Sequence, residues 1–306
     1  MRIPVREGLS MRRKTFDRRE AREAYLLLLP FGIFFALFVL YPIVRSILDS
    51  FTDYSLSSRA FTGLRNYVRL FTNDKAFLLS IRNTLLYAAG SIVPLMLLGL
   101  TAALLVNRKN AGMYLARAAL MTPYVTSLVA VSLVWLFLYD PTSGAFNKVL
   151  AILGLPRQQF LYDRTQALWC LVVMNVWKNL GYVMILYLAA LQSVPQALLE
   201  AAQLDGAGYF ARLRKITLPH LRPISYLLFT TLTVECFKTF EPVRVMTSGG
   251  PVNATTTITY QIYLRAFSEF KLGYASAMSV VLLLIVLAVT LLNLKLGHQL
   301  DGEDGV

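Results

Sequence analysis

Asn175, Lys178, Asn179 and Tyr182 recur at i, i+3, i+4 and i+7 within an otherwise apolar stretch, the spacing that stacks side chains along one side of a helix. A second apolar stretch carries Glu235 and Lys238, three residues apart. Amides, a phenol and single charges of both signs can hydrogen-bond hydroxyl groups and offer a ring face. They include no nucleophile beside a base and no cluster of carboxylates, so the set suits passage or recognition of a polar solute better than bond cleavage. The same stripe could equally hold helices together by interhelical hydrogen bonds. Cys170 and Cys236 both fall in apolar runs, and His220 and His298 have no partners at metal-ligand spacing. Small apolar packing suits the cysteines, and no disulfide framework, metal site or catalytic set is indicated.

The elements that must position these residues follow from composition. The chain has 306 residues, 56% hydrophobic and only 15% charged, against about 25% charged in soluble domains. Its mean hydropathy is +0.55. Six nearly uncharged runs, at 24–41, 85–106, 118–139, 167–191, 224–240 and 274–294, approach the roughly 20 residues of helix that cross a bilayer core. They predict an all-α polytopic membrane protein of six transmembrane helices, spanning residues 24–294. No small-x-small cleavage site follows the first run, which reads as a retained helix rather than a signal peptide.

The net charge of +13 orients the chain rather than pointing to nucleic acid. Arg2, Arg6, Arg12, Arg13, Lys14, Arg18, Arg19 and Arg22 fill residues 1–23. Arg108, Lys109 and Arg117 crowd the second loop, and Arg212, Arg214, Lys215 and Arg222 the fourth. The positive-inside rule then places both termini, and the tail at 295–306, in the cytoplasm, with the basic N-terminal tail mobile or lying on anionic lipid. Lys178 and Glu235 each fall roughly 17 Å into their spans at 1.5 Å per residue. Charges at that depth usually face a cavity or one another. The two could pair; alternatively Lys178 snorkels outward and Glu235 pairs with Lys238 on its own helix.

Between the fourth and fifth runs lies a polar island, residues 193–222. Ser193, Pro195 and Gln196 resemble a capping box with proline in the first turn. A short helix with a wide apolar surface (Leu198, Leu199, Ala201, Ala202, Leu204) follows. Gly206 stands where a left-handed helix terminator belongs. A second helix is expected from about Tyr209 to Thr217, with Phe210, Leu213 and Ile216 on one side, stopped by Pro219. The island is a helix-turn-helix knob on the cytoplasmic side. Its apolar residues pack on the protein's own spans or the headgroup layer, or they dock a cytoplasmic partner.

The pattern Glu200-Ala201-Ala202, Asp205-Gly206-Ala207, Ile216, Leu218-Pro219 and Pro223 resembles the Glu-Ala-Ala loop of permease subunits of binding-protein-dependent ABC importers. Leu213 stands where that family often has Phe. Residues 61–71, 122–150, 176–202, 246–257 and 273–286 resemble further segments of the carbohydrate-uptake branch, similar to maltose and glycerol-phosphate permeases. The resemblance implies a coupling helix in the 200–206 segment, seated on an ATPase subunit, with Leu213, Ile216, Leu218 and Pro219 completing the contact. It implies two ATPase subunits that bind ATP and Mg, a second homologous permease subunit, an extracytoplasmic solute-binding protein, and a place in the bacterial inner membrane. It also implies that the loop at Gly249-Gly250-Pro251 reaches toward the binding protein, although a plain chain reversal explains those residues as well. No cofactor is expected in this chain, which has no Gly-Lys pair and so no G-x-x-x-x-G-K-[ST] phosphate loop. The competing reading is a self-contained secondary transporter or channel, which would need an ion-coupling site in broken, repeated helices. Gly90, Pro94 and Gly99 interrupt the second run, with no counterpart in the second half.

Overall fold

The computed structural model describes residues 18–55, 59–108 and 110–303, with side chains for all of these but 18–21, 24 and 296–303. Most of the basic N-terminal tail, and Lys109, lie outside the described residues. In chain order the helices are α1 (Arg18–Phe35), α2 (Tyr41–Asp49), α3 (Arg65–Thr72), α4 (Lys75–Val106), α5 (Ala111–Val125), α6 (Leu128–Leu138) and α7 (Ala145–Ile152). Then come α8 (Ala167–Gln192), α9 (Gln196–Leu204), α10 (Tyr209–Arg212), α11 (Leu218–His220), α12 (Arg222–Phe237), α13 (Ile258–Tyr263) and α14 (Leu272–Glu303). Among the described residues the one β pairing is an isolated bridge between Thr52 and Phe61.

The chain divides into residues 1–48 and 49–306. In the first unit, a π-type segment, Ala36–Leu40, joins α1 to α2. Its aromatic pairs Phe31–Phe35 and Phe34–Phe38 stack at i, i+4, with centroids 5.9 Å apart, as helical spacing requires.

In the second unit α4 and α8 form the spine. Small residues let them approach closely. A Cβ on Gly99 would sit 2.5 Å from a Val183 methyl, and one on Gly90 would sit 2.7 Å from the Trp169 ring. Tyr87, Leu95, Leu171, Met174, Met184 and Leu228 are buried around this seam. Arg117 reaches back from α5 to donate to the Val106 and Arg108 carbonyls, satisfying orphan acceptors at the end of α4. One of the loop arginines that the charge count drew on therefore caps a helix.

Four helical stretches are long and apolar enough to cross a membrane: Tyr25–Asp49, Lys75–Val106, Ala167–Gln192 and Leu272–Lys295. A fifth is reached if α5 and α6 count as one span. The single helix expected over 118–139 is instead this pair, bent by 98°. Pro123 lacks an amide donor, and Thr126 and Ser127 are extended at ψ 152° and 131°, so the helical ladder cannot run through. Helix α12 has 16 residues, about 24 Å at 1.5 Å per residue. Helix α14 continues to Glu303, so the segment expected as a tail from 295 begins inside a helix.

Candidate functional site

The α8 stripe and the α12 charges meet in one cavity of about 550 Å³. Asn175, Lys178, Asn179, Tyr182, Glu235 and Lys238 all line it, and so do Tyr124, Thr231, Thr239 and Glu241. Helical period places the first four side by side. The closeness of α5 brings Tyr124, because Gly181 lets the two helices touch: a Cβ there would lie 2.1 Å from the Leu120 carbonyl oxygen. The Tyr124 and Tyr182 rings then stack at 4.8 Å and 12°. Tyr124 and Glu241 were not among the residues singled out from sequence. For Tyr124 the available signal was the hydroxyl- and proline-bearing run Thr122–Ser127 (TPYVTS) inside an apolar stretch.

Lys178 neither snorkels nor pairs. It is 7% exposed, and its ammonium donates to the carbonyls of Pro123 (3.1 Å), Tyr124 (3.1 Å) and Thr126 (2.8 Å). These are acceptors freed where α5 ends, so a cation from α8 caps the negative end of α5. Among the described residues no ion pair joins Glu235 to Lys178 or to Lys238. Within the stripe, Asn179 donates to the Asn175 backbone carbonyl (3.0 Å) and side-chain oxygen (2.9 Å).

At the far end of α8 the chain turns into the knob. The capping box does not form. Pro195 is the residue before α9, and Ser193 instead donates to the Ala190 carbonyl at 2.8 Å, closing α8. Gly206 has φ +80°, and the Ala207 amide donates to the Ala202 carbonyl at 2.9 Å, a bond that closes the end of α9. Arg212 donates to Gln203 at 2.9 Å, tying α10 to α9.

The second helix does not stop at Pro219. A π-type segment, Leu213–Thr217, leads into α11, and Pro219 sits in its first turn, where no amide donor is needed. The knob's apolar residues divide. Leu199, Leu213 and Thr217 line a space of about 290 Å³ shared with Leu104, Leu191 and Val194. Leu213, Ile216, Pro219 and Ala202 are half-buried. Leu198, Leu204 and Phe210 are exposed, the last two at 89% and 81%, so Phe210 does not share the covered side with Leu213 and Ile216. Glu200, Ala201, Asp205 and Leu218 are exposed as well.

The loop after α12 is laced to α4. Asn83 donates to the carbonyls of Asn253 (3.0 Å) and Thr256 (3.1 Å), and the Ile258 amide donates to the Thr84 hydroxyl at 3.1 Å. Thr255, Thr256 and Thr257 are fully buried. Gly249, at φ +79°, lies under Tyr260, whose ring leaves 2.7 Å for a Cβ. Gly250 and Pro251, joined by a cis peptide bond, sit beside the exposed Val252 and Asn253.

Long apolar helices, one bent pair and a cavity lined by uncharged and oppositely charged polar groups describe a multi-pass membrane transport component. The chain belongs to the family of inner membrane components of binding-protein-dependent transport systems, whose model matches residues 76–299. It is 36% identical over 280 residues to the sn-glycerol-3-phosphate transport system permease protein of Yersinia pestis bv. Antiqua (strain Antiqua), across 89% of this chain and 92% of that one. It is 33% identical over 285 residues to the trehalose/maltose transport system permease protein of Thermococcus litoralis, across 92% and 95%. A chain of a bacterial alginate ABC transporter, solved with an alginate pentasaccharide-bound periplasmic protein, superposes with a TM-score of 0.79 at 25% identity, across 90% and 93%. This protein is a permease subunit of a binding-protein-dependent importer.

Proposed function

We propose that the chain forms, with a second homologous permease subunit, the path of a sugar or related polyol. An extracytoplasmic binding protein delivers the solute, and two separate ATPase subunits, which hold ATP and Mg, drive the cycle. In this reading six segments cross the inner membrane, the bent α5–α6 pair and the short α12 counting as spans three and five, with both termini cytoplasmic. The path is the cavity lined by Asn175, Lys178, Asn179, Tyr182, Glu235 and Lys238. Lys178 holds the wall, and the others face the solute. The tip at Gly249, Gly250 and Pro251 lies on the binding-protein side, carried on the loop that Asn83 and Thr84 pin.

Helix α9 is the coupling helix. Glu200, Ala201, Ala202, Asp205, Gly206 and the exposed Leu218 meet an ATPase groove, and Leu213, Ile216 and Pro219 brace the knob from behind. The observation that carries this reading is the knob's split character: one side is packed on the chain's own helices, while Leu204 and Phe210 stand almost bare. Large apolar side chains left uncovered on a protruding turn mark a docking surface. Force delivered there enters α8 directly, because α9 follows α8 after the three residues 193–195.

The test is solute-stimulated ATP hydrolysis by the complete importer in lipid. Replacing Leu204 and Phe210 with serine should abolish stimulation and release the ATPase subunits. Stimulation at the normal level would remove the knob from the coupling path. Solute crossing a vesicle wall through this chain without ATPase subunits would replace the reading with a self-contained transporter.

A further inference from the structure

The chain's relatives are named for solutes of different charge: a phosphate ester, neutral disaccharides and an acidic polysaccharide. Overall identity does not choose among them, but the charges lining the cavity do. Anions in proteins are held by arginine forks or by lysine ammonium donors left free to turn toward them. No arginine among the described residues lines this cavity. Of its two lysines, Lys178 has three N–H donors, and all three are committed to the carbonyls of Pro123, Tyr124 and Thr126. That leaves Lys238 as the one cation with free donors among the lining residues. Two carboxylates line the same cavity, Glu235 and Glu241, neither with an ion pair among the described residues. The formal balance is two positive and two negative charges, and what remains available to a ligand leans acidic.

We propose that the solute crossing this cavity is uncharged and rich in hydroxyls, a neutral saccharide or polyol, and that phosphate esters and uronates are rejected. The inference rests on reading the cavity as the translocation path. A phosphate or uronate carboxylate would enter beside Glu235 and Glu241 with a single free ammonium to offset them, and like charges brought together out of water are disfavoured. A neutral sugar meets no such penalty. Its hydroxyls donate to the two carboxylates, to the free Asn179 side-chain oxygen and to the hydroxyl oxygen of Thr231, whose own hydrogen is donated to its helix backbone, and they accept from Lys238. The stacked Tyr124 and Tyr182 supply apolar ring surface for its C–H faces. The volume of about 550 Å³ lies within the roughly 300–1,000 Å³ of small-molecule sites.

The experiment uses the complete importer in nanodiscs with its binding protein. ATP hydrolysis is followed against a panel of neutral mono- to trisaccharides and polyols, and against sn-glycerol-3-phosphate, hexose 6-phosphates and alginate oligosaccharides. Stimulation is expected from one or more neutral compounds and from none of the anions. For the neutral compound, Glu235→Gln and Glu241→Gln should each raise the half-saturating concentration about tenfold, the loss expected when a charged acceptor becomes neutral. Stimulation by any of the anions would overturn the inference while leaving the path reading intact. A neutral solute indifferent to both substitutions would overturn it too. Hydrolysis that no member of either class stimulates would defeat the path reading, and the inference with it.

Discussion

At the cavity, Lys178 is buried and each of its donors is taken by the chain itself. At the knob, on the same continuous stretch of polypeptide, Leu204 and Phe210 have almost nothing over them, and Glu200 and Asp205 accept no side-chain hydrogen bond among the described residues. The two regions share helix α8, yet the Lys178 wall of the cavity is complete in the single chain and the knob is not. A buried cation whose donors are all satisfied internally is shaped by folding. A site that leaves large apolar groups bare is shaped by what will cover it. Substitutions at the cavity wall should therefore act on the subunit, and substitutions at the knob on the assembly.

The sharpest break in that contrast sets two glycines against each other. Gly181 is needed because backbone stands where a side chain would go, 2.1 Å from the Leu120 oxygen. Gly206 is needed because its φ is +80°, with nothing within 4 Å of the added carbon. Gly181→Val should be the more damaging change of the two. Overpacking typically costs 1–3 kcal/mol and occasionally more, and here the obstacle is backbone that no rotamer can move. Loss of monodisperse protein on size exclusion in detergent is expected. Gly206→Val should cost the isolated subunit only about 1–2 kcal/mol, the cost of left-handed backbone for a residue with a side chain. It should nevertheless abolish solute-stimulated ATP hydrolysis, since the turn that presents α9 is lost. If Gly206→Val unfolds the subunit and Gly181→Val does not, the division of roles is reversed.

Next in size is Lys178→Met, which keeps the length of the side chain and removes the cap. Three carbonyls lose a donor. Unsatisfied buried groups cost about 1–3 kcal/mol each, but hydrogen bonds in membrane helices average nearer 0.6 kcal/mol, so a total of about 2–4 kcal/mol is expected. Thermal unfolding in detergent should show it. Lys178→Arg should recover little, because a planar fork cannot direct its donors at three convergent oxygens as a compact ammonium does. A melting temperature unchanged by Lys178→Met would mean that the 98° break between α5 and α6 holds without its cation.

What the sequence showed and what it hid divide along the same line. Features set by local period were legible: the stripe at Asn175, Lys178, Asn179 and Tyr182, and the left-handed turn at Gly206. Features set by contacts far apart in the chain were not. Pairing Lys178 with Glu235 by depth alone assumed that an opposite charge is the only partner for a buried cation. Backbone carbonyls 52 to 55 residues away are the partners instead, and nothing in helical spacing announces them. The break that frees those carbonyls left a faint mark, Pro123 followed by Thr126 and Ser127, which hydropathy averaged away. Ser193 failed as a helix cap for a local reason: Pro195 occupies the position before α9, and the hydroxyl finds the end of α8 closer.

The smallest effect separates the two regions by acid rather than by mutation. Beyond α6 the Asp140 carboxylate accepts from the amides of Ser143 (2.7 Å) and Thr142 (2.8 Å) and from both hydroxyls, Thr142 at 2.7 Å and Ser143 at 3.0 Å. Led by the Ser143 amide and then the Thr142 hydroxyl, these bonds hold its pKa well below the usual carboxylate range. Asp163 is depressed in the same way, first by the Thr165 hydroxyl. A group whose folded pKa is lowered contributes stability that is fully present above its unfolded value, near 3.9, and is lost as pH falls from there toward the folded value. The turn at 139–148 should therefore loosen only below about pH 4, where the opened turn, with an ordinary Asp140 carboxyl, begins to take up a proton that the closed turn still refuses. Hydrogen exchange of that turn, corrected for intrinsic rate and compared between pH 5 and pH 3, should rise in the native chain, while Asp140→Asn should flatten the difference. The peptides of α9 lack such a carboxylate clasp and should exchange alike at both values. A knob that opens in acid before this turn does would show that its carboxylates already have partners within the chain, contrary to the contrast between a region closed by folding and one left for assembly.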